Sequence, residues 1–116
     1  MPPTPIRIAP VIDGHVHPSF CKTHSNDLLA VYNKEGGGGK ELFLCRSTDA
    51  GHSWTTPVPI AAISACSIYP GSLTTLSDGR LLLNWSCYRD TDSATPWREA
   101  FYALSADHGH NWSAPR

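Results

Sequence analysis

The apolar positions of this chain form short runs of four or five residues, separated by Gly, Pro, Asn and Asp. Four such runs cover residues 28–32, 42–45, 81–85 and 101–104. Runs of this length between turn residues favour β-strands, and no window shows a sustained apolar period of 3.6 residues. The pattern therefore predicts an all-β fold in which helix is a minor element at most.

The order of these runs repeats along the chain. Residues 17–32 align with residues 70–85, and each segment contains a hairpin-type turn signal, Asn26-Asp27 in the first and Asp78-Gly79 in the second. Each unit reads as strand A, a tight turn, strand B, a variable loop, strand C and a second turn. A repeated supersecondary unit of this kind is typical of stacked or radial architectures.

A fourth strand, D, completes the unit. Residues 57–63 carry prolines that suit an outermost edge strand, and residues 5–12 have a similar pattern with no unit before them. The predicted organisation is a stray outer strand at residues 5–12, a first four-stranded unit at 17–63, and a second at 69–116 that lacks most of its outer strand.

The second turn of both units has the form S-x-D-x-G-x-x-W, at residues 47–54 and again at residues 105–112. Ser and Asp side chains can hydrogen-bond nearby backbone amides and so fold a turn locally. Gly accepts a positive φ, and Trp offers a large apolar surface that fixes the turn to the sheet. We expect a structural role for these eight residues, which are Ser47, Asp49, Gly51, Trp54, Ser105, Asp107, Gly109 and Trp112.

The duplicated turn and the strands before it resemble the Asp-box (BNR) repeats of the sialidase superfamily. The resemblance covers residues 17–116 and implies an all-β fold of β-propeller blades, two four-stranded antiparallel units of a six-bladed sialidase-like propeller. The alternative is an unrelated β-sandwich in which the turn is duplicated by chance. The implied function is a sialidase-like glycoside hydrolase, exo-acting on glycans, or a fragment of one. The alternative function is a carbohydrate-binding or scaffold propeller that keeps Asp-boxes without catalysis.

The up-and-down strand order assigns the polar loops to two ends. The A–B and C–D turns share one end, and the D–A and B–C loops share the other, where propellers usually place ligands. A Lys or Arg side chain can bind the negative group of an anionic sugar, and carboxylates beside it can transfer protons. The candidates at this end are Glu35 and Asp90 for catalysis, and His17, Lys34, Tyr69 and Arg89 for substrate binding.

Two positions depart from the set of catalytic residues that the resemblance implies. Val16 stands where the family has the first arginine of its R-I-P motif, and residues 36–39 are glycines where the family has an acidic residue. These departures favour the alternative of a propeller without catalysis, at least for these two units.

His15 and His17 also match the H-x-H strand end of metal-dependent amidohydrolases. That fold needs a (β/α)₈ barrel of about 250 residues, which this pattern does not supply. We therefore expect no metal and no cofactor.

The net charge of the chain limits the classes of partner that we expect. A net charge of −1 disfavours nucleic acid and anionic membranes as partners. The expected partners are a glycan or another small carbohydrate, together with the rest of a longer chain or two further copies in a homotrimer that closes the propeller. No signal peptide is visible at residues 1–4, and a parent protein that carried one would be secreted or periplasmic.

The four cysteines form no C-x-x-C pair, which favours buried free thiols, although a disulfide remains open.

Overall fold

The computed structural model describes residues 3–10, 16–34, 41–62, 67–89 and 97–116. This part of the chain is all-β and contains seven strands and no helix. The strands are β1 (Ser19–Lys22), β2 (Leu28–Lys34), β3 (Glu41–Ser47), β4 (Val58–Ala62), β5 (Ser67–Thr75), β6 (Leu81–Arg89) and β7 (Trp97–Ser105). None of the described residues form a helix long and apolar enough to cross a membrane.

The strands form two antiparallel meanders, one sheet in the order β1-β2-β3-β4 and the other in the order β5-β6-β7. The first three strands of each sheet follow the predicted order A, B and C, and β4 is the predicted strand D. Both tight turns are hydrogen-bonded as hairpins, with Asn26 N–H donating to Thr23 O and Gly79 N–H donating to Leu76 O. The prediction of an all-β fold of antiparallel units is confirmed for the described residues.

The hydrophobic core lies between the two sheets. Side chains alternate across a strand, so each sheet has one face toward the other sheet, its core face, and one face away from it, its far face. The core face of the first sheet presents Leu29, Val31, Leu42 and Leu44, and that of the second presents Leu81, Leu83, Trp85 and Ala103. All eight residues are at most 4% exposed, so the two sheets pack closely against each other.

The prediction of a strand over residues 5–12 is wrong for residues 5–10, which form no strand; residues 11 and 12 lie outside the described residues. A strand needs a partner for its backbone groups, and no described part of the chain supplies a sheet before the first one. Pro5 and Pro10 in addition have no N–H to donate.

The last described residue, Arg116, is hydrogen-bonded to the edge strand β7 of the second sheet. Tyr102 and Arg116 exchange two backbone hydrogen bonds, of 2.9 and 3.0 Å. The corresponding residues of the first sheet, Leu44 and Val58, are partners at the start of β4. Arg116 thus lies beside β7 at the position that Val58 holds beside β3.

Candidate functional site

Both S-x-D-x-G-x-x-W turns fold through the same hydrogen bonds. In the first, Ser47 Oγ accepts from Gly51 N–H at 2.8 Å and donates to Asp49 Oδ1 at 2.8 Å. Asp49 Oδ1 also accepts from Ser53 N–H, and Trp54 Nε1 donates to Gly51 O at 3.1 Å. The second turn repeats these contacts 58 residues later, through Ser105, Asp107, Gly109, Asn111 and Trp112.

The carboxylates of Asp49 and Asp107 are engaged in hydrogen bonds within their own turns. Hydrogen bonds from the Ser53 side chain and backbone, and then from Ser47, lower the pKa of Asp49 to about 2. The pKa of Asp107 is lowered even further, first by the Asn111 side chain. A carboxylate held in this way is a weak proton acceptor, which fits a structural role and not acid–base catalysis.

The second turn also joins the two sheets. Gly109 is buried, and a Cβ added there would lie 2.7 Å from Leu29 Cδ1 of the first sheet. Arg46 of β3 donates from Nη2 to His108 O at 2.7 Å and pairs through Nη1 with Asp27 Oδ2 at 2.9 Å. This end of the molecule is therefore built to hold the blades together.

The opposite end of the sheets, the loop end, is where β2 and β6 finish and β1 and β5 begin. The rings of His17 and Tyr69 meet there edge to face, with centroids 4.9 Å apart and an interplanar angle of 85°. Asn33, fully buried at the end of β2, accepts a 2.7 Å hydrogen bond from the His17 backbone N–H through Oδ1. Two predicted binding residues, His17 and Tyr69, are thus in contact, and the buried side chain of Asn33 holds the His17 backbone in place.

The innermost strands of the two sheets, β1 and β5, are joined below this contact by side-chain hydrogen bonds. Ser19 Oγ donates to Gly71 O at 2.6 Å, and Thr75 Oγ1 donates to Lys22 O at 2.6 Å. These two hydrogen bonds and the His17–Tyr69 contact form a line of three contacts between the sheets, which we call the seam. The seam links the two sheets from the loop end to the tight turns.

The other predicted site residues lie at the same end or outside the described part. The Lys34 backbone is the last position of β2 and is paired with Glu41, and the Arg89 backbone is the last of β6 and is paired with Trp97. Glu35 and Asp90, the two predicted catalytic carboxylates, lie outside the described residues.

Sequence reasoning did not predict the roles of two residues at the loop end. Asn33 extends the apolar run 28–32 by one polar residue, and a polar side chain there is a signal for a buried hydrogen bond. Glu41 is half-buried, and its backbone partner across the sheet is Lys34. Only the strand register shows this pairing, because residues 35–40 separate the two in sequence.

The described residues contain no group of three His, Cys, Asp or Glu side chains that could hold a metal ion. Cys21 and Cys45 are free thiols, Cys87 is buried in β6, and Cys66 lies outside the described residues. Burial raises the pKa of the Cys21 and Cys45 thiols, which keeps both protonated and unreactive near neutral pH.

The fold is shared with known structures. A protein of unknown function from Dyadobacter fermentans matches with a TM-score of 0.72 and 18% identity, over 94% of this chain and 38% of its own. A Hadza microbial sialidase matches with a TM-score of 0.62 and 22% identity, over 84% of this chain and 23% of its own. An α-L-arabinanase from Penicillium chrysogenum, solved with arabinobiose, matches with a TM-score of 0.62 and 22% identity, over 84% of this chain and 30% of its own.

No protein-family model and no curated protein matches the sequence. The chain spans less than two fifths of each of these structures. The sialidase and the arabinanase are both β-propeller proteins, so the likeness identifies the fold of this chain as part of a β-propeller.

Proposed function

We propose that this chain supplies two adjacent blades of a sialidase-like glycoside hydrolase that acts on the ends of glycans. In this proposal the S-x-D-x-G-x-x-W turns are Asp-boxes of the sialidase kind, and the ring has six blades. The support is the duplicated turn with its repeated hydrogen bonds, together with a fold that a sialidase and an arabinanase share.

One observation supports the position of the glycan site. His17, just before β1, and Tyr69 of β5 meet at the loop end, opposite both motif turns. An aromatic ring can stack on the apolar face of a sugar, and an imidazole can hydrogen-bond its hydroxyl groups. Because Asn33 holds the His17 backbone, the pair is positioned before a ligand arrives.

The charged residues of the loop end have proposed roles beside this pair. Lys34 and Arg89 would bind an anionic group such as a sugar carboxylate. Glu35 and Asp90 would be the two carboxylates that glycoside hydrolysis uses for proton transfer and stabilisation. Glu41, the cross-strand partner of Lys34, is a further carboxylate for such a role.

A second candidate is a propeller that binds carbohydrate without hydrolysing it. Val16 and the glycines of residues 36–39 favour it, because they stand where the sialidase resemblance implies an arginine and a carboxylate. Both candidates share the loop end as the glycan site and differ in whether bonds are cleaved.

Hydrolysis and binding should be measured on the same purified chain. Fluorogenic sialosides and arabinofuranosides report hydrolysis, and calorimetric titration with the corresponding free sugars reports binding. Hydrolysis lost in Glu35→Gln or Asp90→Asn supports the enzyme. Binding that weakens in His17→Ala and Tyr69→Ala without hydrolysis by the parent supports the binding propeller. Arg80→Ala, at the opposite end, is the matched control. Neither hydrolysis nor binding across the panel would overturn both.

A further inference from the structure

The strand β5 carries one residue more than its partner β6 at a single point. Three steps along β5, from Pro70 to Leu73, match two steps along β6. Gly71 and Ser72 therefore both lie opposite one residue, Asn84. A β-bulge of this kind changes the direction of the side chains on its strand and is common beside active sites. In the first sheet, the pairing of β1 with β2 is regular, so the bulge distinguishes the second sheet.

The side chain of Asn84 holds this bulge. Its Oδ1 accepts from Ser72 N–H at 3.2 Å, and its Nδ2 donates to Ser72 Oγ at 2.7 Å. A Cβ added at Gly71 would lie 1.8 Å from Asn84 Oδ1, so only glycine leaves room for the Asn84 side chain. Ser19 Oγ of β1 donates to Gly71 O. The bulge is therefore fixed from its own sheet by Asn84 and from the other sheet by Ser19.

The bulge decides which residue of β5 enters the hydrophobic core. Ile68 lies opposite Cys87, and the two are buried at 2% and 0% exposure. Tyr69 lies opposite the exposed Ser86 and is itself half-buried. A regular strand would instead place Tyr69 opposite Cys87, because a slip of one residue moves every side chain to the other face of the sheet. The bulge thus keeps Tyr69 out of the core and available for its ring contact with His17.

From these contacts we propose that Asn84 is a positioning residue of the glycan site, and that with Gly71 it holds the bulge that brings Tyr69 to His17. The inference rests on the proposed function, in which the His17–Tyr69 pair contacts the sugar. Asn84 acts through Tyr69 and does not touch the ligand. An aromatic ring recognises the apolar face that neutral and anionic sugars share. Loss of the bulge therefore weakens the binding of both classes of sugar.

The ring contact can be measured without a ligand. Nuclear Overhauser effects between the rings of His17 and Tyr69 should report it in the parent. They should be lost in Asn84→Ala, which removes both hydrogen bonds to Ser72, while the circular dichroism stays parental. They should be retained in Asn84→Asp, because a carboxylate still accepts from the Ser72 N–H and accepts from its hydroxyl group as well. The matched control is Thr74→Ala, an exposed position on the same strand beyond the bulge, which should keep them.

A variant at Gly71 tests the bulge from the other strand. The methyl group of Gly71→Ala must displace the Asn84 side chain, so this variant should also lose the ring contact. In Gly71→Ala/Asn84→Ala the obstructing amide is absent, and the melting temperature should fall no further than in Asn84→Ala alone. Additive losses would contradict the coupling of the two positions. Gly71→Ala also keeps the proposal testable if Asn84→Ala does not fold.

Calorimetric titration separates this inference from the proposed function. If the parent binds a sialoside or an arabino-oligosaccharide, Asn84→Ala should weaken binding by about fivefold to tenfold, the factor that one aromatic contact contributes, and Asn84→Asp should bind like the parent. A parent that binds neither overturns the proposed glycan site, and the ring contact then still decides whether Asn84 positions Tyr69. A folded Asn84→Ala that keeps the ring contact overturns the inference, and so does a Thr74→Ala that loses it.

Discussion

Arg46 of β3 is joined to His108, in the motif turn that follows the second sheet, by a 2.7 Å hydrogen bond from the Arg46 guanidinium to the His108 carbonyl oxygen. The same guanidinium pairs with Asp27 of its own sheet at 2.9 Å, and its side chain is only 9% exposed. His108 has a positive φ of 59° within the second motif turn, so its carbonyl direction is set by that turn. The relationship shows that the motif turn of one blade is a docking point for the preceding blade.

Replacing Arg46 tests how much this link stabilises the pair of blades. Arg46→Leu introduces the residue type that occupies the equivalent position of the second sheet, Leu104, and leaves Asp27 and the His108 carbonyl without their partner. We expect a loss of about 1–3 kcal/mol in the free energy of unfolding, measured by urea denaturation. The control is Arg80→Leu, because the Arg80–Asp78 pair is about half exposed and should contribute little. Equal effects of the two variants would contradict the account.

Gly109 should tolerate a methyl group less well than another turn glycine. Gly109 and Gly79 have nearly the same φ, 88° and 90°, so both alanine variants carry the same backbone strain. Gly109→Ala in addition forces its Cβ against Leu29, whereas at Gly79 the nearest atom belongs to the exposed side chain of His24. The difference in unfolding free energy should be about 1–3 kcal/mol. A smaller cost at Gly109 would mean that the sheets do not pack closely at this turn.

Removing the turn tryptophans should have unequal effects. Trp54 and Trp112 are both half-buried, so each cost should fall below the roughly 3–5 kcal/mol of a fully buried aromatic residue. Trp112 packs on the core between the sheets, whereas Trp54 makes an edge contact with the exposed ring of Phe20. Thermal melts of the alanine variants should therefore show the larger loss for Trp112→Ala. A variant that melts like the parent would show that its motif tryptophan does not pack on the sheet.

Acid should weaken the turns in a defined pH range. The pKa of Asp49 is lowered to about 2 in the folded chain, against about 3.9 in an unfolded one. A carboxylate with a lowered folded pKa contributes stability that is complete above the unfolded value and is lost as pH falls toward the folded value. The melting temperature should therefore fall between about pH 4 and pH 2, and Asp49→Asn should flatten that part of the profile.

Glu99→Gln is the matched control for the acid profile, because Glu99 is an exposed carboxylate on β7 outside both turns. It should keep the parental fall in melting temperature. An Asp49→Asn profile that is parallel to that of the parent would show that the turn carboxylate does not couple to folding.

The strand order was predictable from the sequence because the signals are local. Alternation at Leu81, Leu83 and Trp85 and the glycine of the Asp78-Gly79 turn each reflect neighbours a few residues away. The prediction over residues 5–10 failed because a strand also requires a hydrogen-bonding partner, which a local pattern cannot supply. The Arg46–His108 link spans 62 residues and depends on how two blades pack, so no local signal indicates it.

The sequence also predicted which residues share the loop end, but not how they contact one another. Strand order alone assigns His17 and Tyr69 to the same end, because connections alternate between the ends of a meander. Their ring contact depends on the seam between β1 and β5, and the pairing of Glu41 with Lys34 depends on strand register. These are properties of packing that become visible only in three dimensions.

The most direct test of the central claim is to map glycan binding by amide chemical shifts in the ¹⁵N-labelled chain. Titration with a sialoside, and separately with an arabino-oligosaccharide, should shift the amides of His17, Lys34 and Tyr69 for at least one of the two ligands. The amides of the motif turns, such as Gly51 and Gly109, should stay unchanged and serve as the internal control. Shifts concentrated at the motif turns, or none at saturating concentrations of either ligand, would contradict the assignment of the loop end as the glycan site.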